Sequence, residues 1–324
     1  MKKLIASFLI LIIALFTLAS CSREKDDDTV IRVGYINGPT GMGMAKMIND
    51  NTDGTKYEFT FFKTPAEAKD AFIAGNIDIA CLSTDVAANT FKVEDNTTVL
   101  AINTLSALFL VSDSDTNITA FDKANLDGKK IYTLAQGTPY EVVKALLEKY
   151  EIDAEVVTSV NGATINSADN LKDAIINGDV SIAVVPEPAL SASFTARAAS
   201  GKSAYTVVTN LLNVWNSKIE TPMSMGCIVA NGEFISEHKE LVDEFLIEYE
   251  ASIEFVSDFA NLDTAANYIA NASILPNAKI AKSALSNLGS SIAYIDGASM
   301  KNALKAFYTI INVTAPGDAF FYEK

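Results

Sequence analysis

The chain has 324 residues, with 40 Asp and Glu against 25 Lys and Arg and a formal net charge of −15 at pH 7. At 49% hydrophobic and 20% charged residues its composition is globular, and one His with three Cys cannot build a multi-histidine zinc site or a Cys₄ cluster. The acidity argues against nucleic acid, and three arginines (Arg23, Arg32, Arg197) leave little for a bidentate clamp on an anion.

Residues 1–20 read as an address label. Lys2 and Lys3 precede an apolar run over residues 4–19, shorter than the ~20 residues a spanning helix needs. A small-residue site, Leu18-Ala19-Ser20-Cys21, follows at once, as in a secretory signal. Cys at that point resembles the bacterial lipobox, in which the thiol is acylated and becomes the mature N-terminus. An uncleaved anchor is the alternative, and either places the remainder outside the cytoplasm at a membrane surface. Residues 21–29 are polar and charged and read as a tether.

From residue 30 short apolar runs alternate with segments of helical period. Residues 31–36 read as a strand, 38–41 as a turn, and 42–48 as a helix start with Pro39 near its first turn. A strand over 57–63, a helix over 65–74 closed by Gly75, and a buried strand over 77–82 follow. This alternation predicts an α/β fold with a mostly parallel sheet and helices on its faces.

Residues 69–80 (KDAFIAGNIDIA) match residues 172–183 (KDAIINGDVSIA), so a helix, its closing glycine and the next strand recur 103 residues on. A strand, Gly/Thr/Pro turn and helix precede each copy, at Gly38-Pro39-Thr40 and at Gly137-Thr138-Pro139. Two similar α/β lobes account for the recurrence better than one large sheet does.

Ligands of open α/β sheets bind outside the carboxyl ends of strands, against helix N-termini. Four loops qualify: Asn37, Gly38, Pro39, Thr40 and Gly41; Ser83 and Thr84 with Asp85; Gln136, Gly137, Thr138 and Tyr140; and Glu187 between two prolines. Glycines there admit close backbone approach and threonines supply hydroxyls, although such turns also serve simply to connect strand to helix. Backbone N–H groups at the helix starts suit an oxyanion, whereas Glu187 suits an amine or a heterocyclic N–H, and both directions stay open. Trp215 and Tyr35 are candidates to stack on a planar ring, with packing at a hinge as the alternative for Trp215.

The lipobox, the GPTG turn, IDIACLST, AQGTPYEVVKALLEKY and VVPEPAL stand in an order that resembles the solute-binding lipoproteins of ABC importers. The nitrate, sulfonate, taurine and thiamine-precursor group is the nearest in pattern. The resemblance implies a type II periplasmic-binding-protein fold: two α/β lobes with mostly parallel sheets, joined by a hinge with two crossovers. The lobes would comprise residues 30–108 plus 220–324 and residues 109–219, with a return over residues 210–222. It further implies lipidation at Cys21 and capture of a small-molecule solute by hinge closure. Delivery to a permease, a monomeric chain, no cofactor, no metal and no catalysis belong to the same expectation. Nothing contradicts this from the side of enzyme motifs: G-x-S-x-G, C-x-x-C and H-E-x-x-H do not occur, and His238 sits at an exposed helix start. A lipid-anchored sensor or adhesin on the same fold is the competing reading. Pyrimidine-forming and menaquinone-pathway enzymes also share the fold, but a lipobox contradicts their cytoplasmic address.

Overall fold

Strand β1 (Ile31–Ile36) is apolar at nearly every position, because a sheet covered on both faces buries both sides of a strand. The computed structural model describes residues 29–323; residues 1–20, the expected lipidation site Cys21 and residues 22–28 of the tether lie outside them. The chain continues through α1 (Pro39–Met42), α2 (Ala45–Asp50), β2 (Tyr57–Phe62), α3 (Pro65–Ile73), β3 (Ile79–Ser83), α4 (Thr84–Val93) and β4 (Thr97–Thr104). Next come β5 (Leu108–Asp113), α5 (Lys123–Leu126), β6 (Lys130–Tyr132), α6 (Thr138–Lys149), β7 (Glu155–Val157) and a small hairpin of β8 (Ser159–Val160) and β9 (Ala163–Thr164). After α7 (Ala168–Asn177), β10 (Ile182–Pro186), α8 (Ala189–Ala199) and β11 (Tyr205–Asn210) the chain turns through α9 (Leu211–Asn216). It ends with β12 (Gly226–Asn231), α10 (Gly232–Glu237), α11 (Lys239–Ser257), α12 (Leu262–Asn271), α13 (Ala278–Leu288), β13 (Ile292–Asp296) and α14 (Gly297–Ile310).

Two sheets form, in the orders β13-β4-β12-β3-β1-β2 and β11-β5-β10-β6-β7. Apart from β13, the second repeats the first strand for strand. β1 runs parallel to β2 and β3, as β6 does to β7 and β10. β12 is antiparallel to β3 and β4, as β5 is to β10 and β11. The inserted antiparallel strands are the two that enter after a crossover. Residues 105–107 carry the chain from β4 into β5, and residues 211–225 carry it from β11 into β12. Each lobe therefore completes its sheet with a strand supplied from the other, while both sheets stay within one compact unit beginning at Ile31.

The internal repeat is also visible in backbone detail. Gly75 (φ +71°) and Gly178 (φ +86°) follow α3 and α7 in the left-handed region that an ordinary side chain resists. At the other ends of these helices, the hydroxyls of Thr64 and Ser167 each accept a backbone N–H at 3.2 Å, from Glu67 and Asn170. Two differences from the sequence reading concern boundaries. The helix expected from Met42 starts at Pro39, because the proline ring is already set for a first helical turn. The first crossing is three residues long, Leu108 being already in β5. The long helix α11 is preceded by the short α10, and the two meet at His238. Among the described residues, no helix is long and apolar enough to cross a membrane.

Candidate functional site

The carboxyl ends of β1, β3, β6 and β10 deliver the four loops singled out by sequence, and the structure brings them together in crossed pairs. A Cβ built on Gly38, after β1, would lie 3.6 Å from Pro188 Cδ and 4.0 Å from the Glu187 carbonyl oxygen, after β10. A Cβ built on Gly137, after β6, would lie 3.5 Å from Asp85 Oδ2, after β3. Each lobe thus offers one glycine turn and one polar turn, and each glycine faces the polar turn of the other lobe. Gly38 (φ +93°, ψ −169°) and Gly137 (φ +80°, ψ −174°) share one backbone conformation, open to glycine almost alone.

Each loop is held from behind. Asn103, at the end of β4, donates through Nδ2 to the Thr40 carbonyl at 3.2 Å and to the Tyr249 hydroxyl at 2.9 Å. Gly226 closes over the same spot, where a Cβ would stand 2.6 Å from Thr40 Oγ1 and 2.7 Å from Asn103 Oδ1. Gly41 is equally constrained, since its Cβ would fall 1.9 Å from the Ile36 carbonyl oxygen. In the second loop the Thr84 N–H and Oγ1 donate to the carbonyls of Met225 and Ser224 at 3.1 and 2.7 Å. The Tyr308 hydroxyl donates to the Thr84 carbonyl at 2.7 Å. The Glu187 N–H donates to the Ala107 carbonyl in the first crossover at 2.8 Å, so the fourth loop is tied to the hinge.

The side chains are more selective than the loops. Thr138 is 3% exposed at the first position of α6, and its hydroxyl has no hydrogen-bond partner among the described residues. A buried hydroxyl left unpaired costs about 1–3 kcal/mol, so a polar atom from outside the chain is expected there. Asp85 is half-buried in the first turn of α4 and has no hydrogen-bond or ion-pair partner among the described residues. Asn37, Gln136 and Gly137 are exposed; Thr40, Ser83 and Tyr140 are half-buried; Gly38, Pro39 and Gly41 are buried in the turn itself. The Tyr140 ring carries the Lys144 ammonium at 5.1 Å.

Several residues are placed where they serve the fold instead. Glu187 is 3% exposed, and its carboxylate accepts from the chain's own donors: Ser191 Oγ at 2.9 Å, the Ser191 N–H at 3.1 Å and Asn287 Nδ2 at 2.7 Å. Burial raises its pKa above the usual carboxyl range, and the bonds from Asn287 and Ser191 only partly offset that. Trp215 is fully buried against Phe307, with its indole N–H on the Thr221 carbonyl at 2.6 Å, so stacking on a ligand gives way to packing at the return crossover. The Tyr35 ring is buried against Phe59 and Phe61, and its hydroxyl donates to the Ala272 carbonyl at 2.9 Å. The Thr84 hydroxyl is likewise engaged. Neither described arginine reaches the loops: Arg32 pairs with Asp78, and Arg197 donates to the carbonyls of Ile175, Ile176 and Ser203. Cys81 and Cys227 are free; pairing with Ile228 and Leu82 points their thiols to opposite faces of the sheet, which excludes a bond between them.

Sequence reasoning missed Asn103, Tyr249, Gly226 and Tyr308, which hold the loops, because strand pairing and helix packing, not local pattern, bring them there. Asp85 carried a signal, a charged residue directly after a buried strand at a loop already selected.

Known proteins share this architecture. The family model described as NMT1/THI5 like matches residues 65–258. An ABC transporter protein from Parabacteroides distasonis is 18% identical, with a TM-score of 0.73 over 92% of this chain and 100% of that one. The periplasmic aliphatic sulphonate binding protein SsuA from Escherichia coli is 14% identical, with a TM-score of 0.65 over 91% and 92%. The periplasmic nitrate-binding protein NrtA from Synechocystis is 11% identical, with a TM-score of 0.58 over 90% and 84%. The fold is therefore that of the type II periplasmic binding proteins. No curated protein sequence matches the chain significantly.

Proposed function

The chain belongs to the NMT1/THI5-like family, and on that premise we propose that it is the extracytoplasmic solute-binding protein of an ABC importer. It encloses a small organic solute between its lobes by hinge closure and presents the closed form to a membrane permease. The observation that carries this reading is the crossed meeting of the four loops, with a buried, unpartnered Thr138 hydroxyl beside one of the glycine turns. Its likeness in fold to a sulphonate-binding and a nitrate-binding protein supports it further. Lipid anchoring through Cys21, a monomeric chain and lobes of residues 30–108 plus 220–324 and 109–219 belong to the same proposal. Binding, not catalysis, is the activity.

An aminosulfonate of the taurine type fits the loops best. Helices α4 and α6 begin in two of them and turn the positive ends of their dipoles toward an oxyanion, with the Thr138 hydroxyl as an added donor. Asp85 then stands across from Gly137 for the ammonium group. Glu187 leaves the ligand set, since it is 3% exposed and already accepts bonds from Ser191 and Asn287 at both oxygens. With Trp215 and Tyr35 buried, neither is left to stack on a heterocycle. A thermal-shift panel of taurine, ethanesulfonate, nitrate, thiamine precursors and flavins tests the reading, because a ligand of the native state alone raises its melting temperature. Taurine is expected to stabilise most, with ethanesulfonate about tenfold weaker for lack of one charge-assisted bond. Stabilisation by a heterocycle alone refutes the solute class, and no shift with any compound refutes solute capture in favour of a sensor or adhesin. Mass spectrometry of the membrane fraction tests acylation at Cys21.

A further inference from the structure

We propose that Asn287 and Ser283 on α13 form, with Glu187 and Ser191 at the start of α8, a latch that holds the two lobes together and sets the closed share of the protein before any solute binds. The inference rests on the hinge-closure reading above. α8 follows β10 of the five-stranded sheet, whereas α13 packs on α12, and α12 on α2 beside the six-stranded sheet. The contact between α8 and α13 therefore joins the two halves behind the fourth loop, through Glu187.

The bonds divide into two sets. Within lobe two, the Ser191 N–H and hydroxyl donate to Glu187 at 3.1 and 2.9 Å, and these bonds survive any rigid parting of the lobes. Across the gap, Asn287 Nδ2 donates to Glu187 Oε1 at 2.7 Å and lies 3.4 Å from Ser191 Oγ, while the Ser191 and Ser283 hydroxyls stand 3.0 Å apart. Opening breaks only this second set and hands the Glu187 oxygen to water. The bond between Asn287 and Glu187 is charge-assisted when the carboxyl is ionised, which makes it the strongest link in the contact. Neither Asn287 nor Ser283 belongs to a loop that faces the solute. They act on affinity through the closed population, because apparent affinity scales with the competent fraction.

The test uses a full chain carrying Cys21→Ser, spin-labelled at Asp70→Cys in α3 and Asp173→Cys in α7, which are equivalent exposed positions of the internal repeat. Pulsed dipolar spectroscopy without solute reads the distance between lobes. Asn287→Ala is expected to lower the closed-to-open ratio about tenfold, the effect of losing one such bond. Asn287→Asp sets a second carboxylate beside Glu187 and is expected to open the protein further. Ser283→Ala, at an exposed hydroxyl, is expected to open it least, and provides the result if an Asn287 variant fails to fold. Ser286→Ala, an exposed serine whose hydroxyl donates to the Lys282 carbonyl of its own helix at 2.8 Å, is the control and leaves the ratio unchanged. Melting temperatures measured in parallel separate opening from unfolding. Identical distance distributions in the wild type and all folded variants overturn the latch, as does a wild type already fully open. A panel without any binding solute, alongside variants that open, leaves the latch standing and refutes solute capture instead.

Discussion

The glycine turns give the sharpest prediction. Gly38 and Gly137 hold a φ near +90° with ψ near 180°, and an added Cβ would meet its neighbours only at 3.6 and 3.5 Å, ordinary contact distances. The cost of Gly38→Ala or Gly137→Ala therefore comes from the backbone, roughly 1–3 kcal/mol each. At Gly41 the Cβ would lie 1.9 Å from the Ile36 carbonyl oxygen, a clash with backbone that no side-chain movement relieves, so Gly41→Ala is expected to cost more. Gly317 provides the opposite sign: its φ is −66° and nothing lies within 4 Å of its Cβ, so Gly317→Ala is expected to stabilise by about 0.4–1 kcal/mol. Urea unfolding of the four variants measures the series directly. For a chain this large, 1 kcal/mol moves the melting temperature by roughly 2–4 °C, so differential scanning fluorimetry also resolves the ranking. If Gly38→Ala and Gly137→Ala behave like Gly317→Ala, the shared turn conformation on which the crossed loops depend is refuted.

Burial holds the Glu187 pKa above the usual carboxyl range. The folded chain then binds that proton more tightly than the unfolded one, and the stability this contributes is full below the unfolded carboxyl pKa and is lost as pH rises through the raised value. Parallel melts should show the wild type losing stability relative to Glu187→Gln as pH climbs above about 4.5, whereas a constant offset speaks against it. Trp215→Ala is expected to cost about 3–5 kcal/mol in urea unfolding, as deletion of a fully buried ring does, and a loss under 1 kcal/mol contradicts its place in the core. The buried thiol of Cys81 is pushed up to about 12 and that of Cys227 is raised as well, so neither is expected to react with iodoacetamide at neutral pH until the chain unfolds. Mass spectrometry with and without denaturant decides this, and labelling of either thiol in the native protein speaks against their burial.

What could be read from the sequence follows the range of the interactions. β1 and the helix–glycine–strand unit at 65–83 are set by neighbouring residues, through a period of apolar positions and a glycine able to take positive φ. The repeat of that unit disclosed two lobes, since one local solution used twice requires two sheets to complete it. The insertion of β5 and β12 was hidden, because an apolar strand does not show which neighbours it pairs with or in which direction. Site loops were legible at the level of backbone, where Gly38 and Gly137 stand out, but side-chain roles were not. Glu187 looked like an open acceptor only because Asn287, one hundred residues away, is invisible beside it in sequence. Trp215 likewise gave no hint of Phe307, which covers it.

The central claim is that two lobes close on a guest. Following the distance between labels at Asp70→Cys and Asp173→Cys through a taurine titration, with calorimetry on the same sample, tests it most directly. The account predicts that the short distance gains population in step with the heat and saturates with it. Taurine that binds while the distance stays fixed would contradict it.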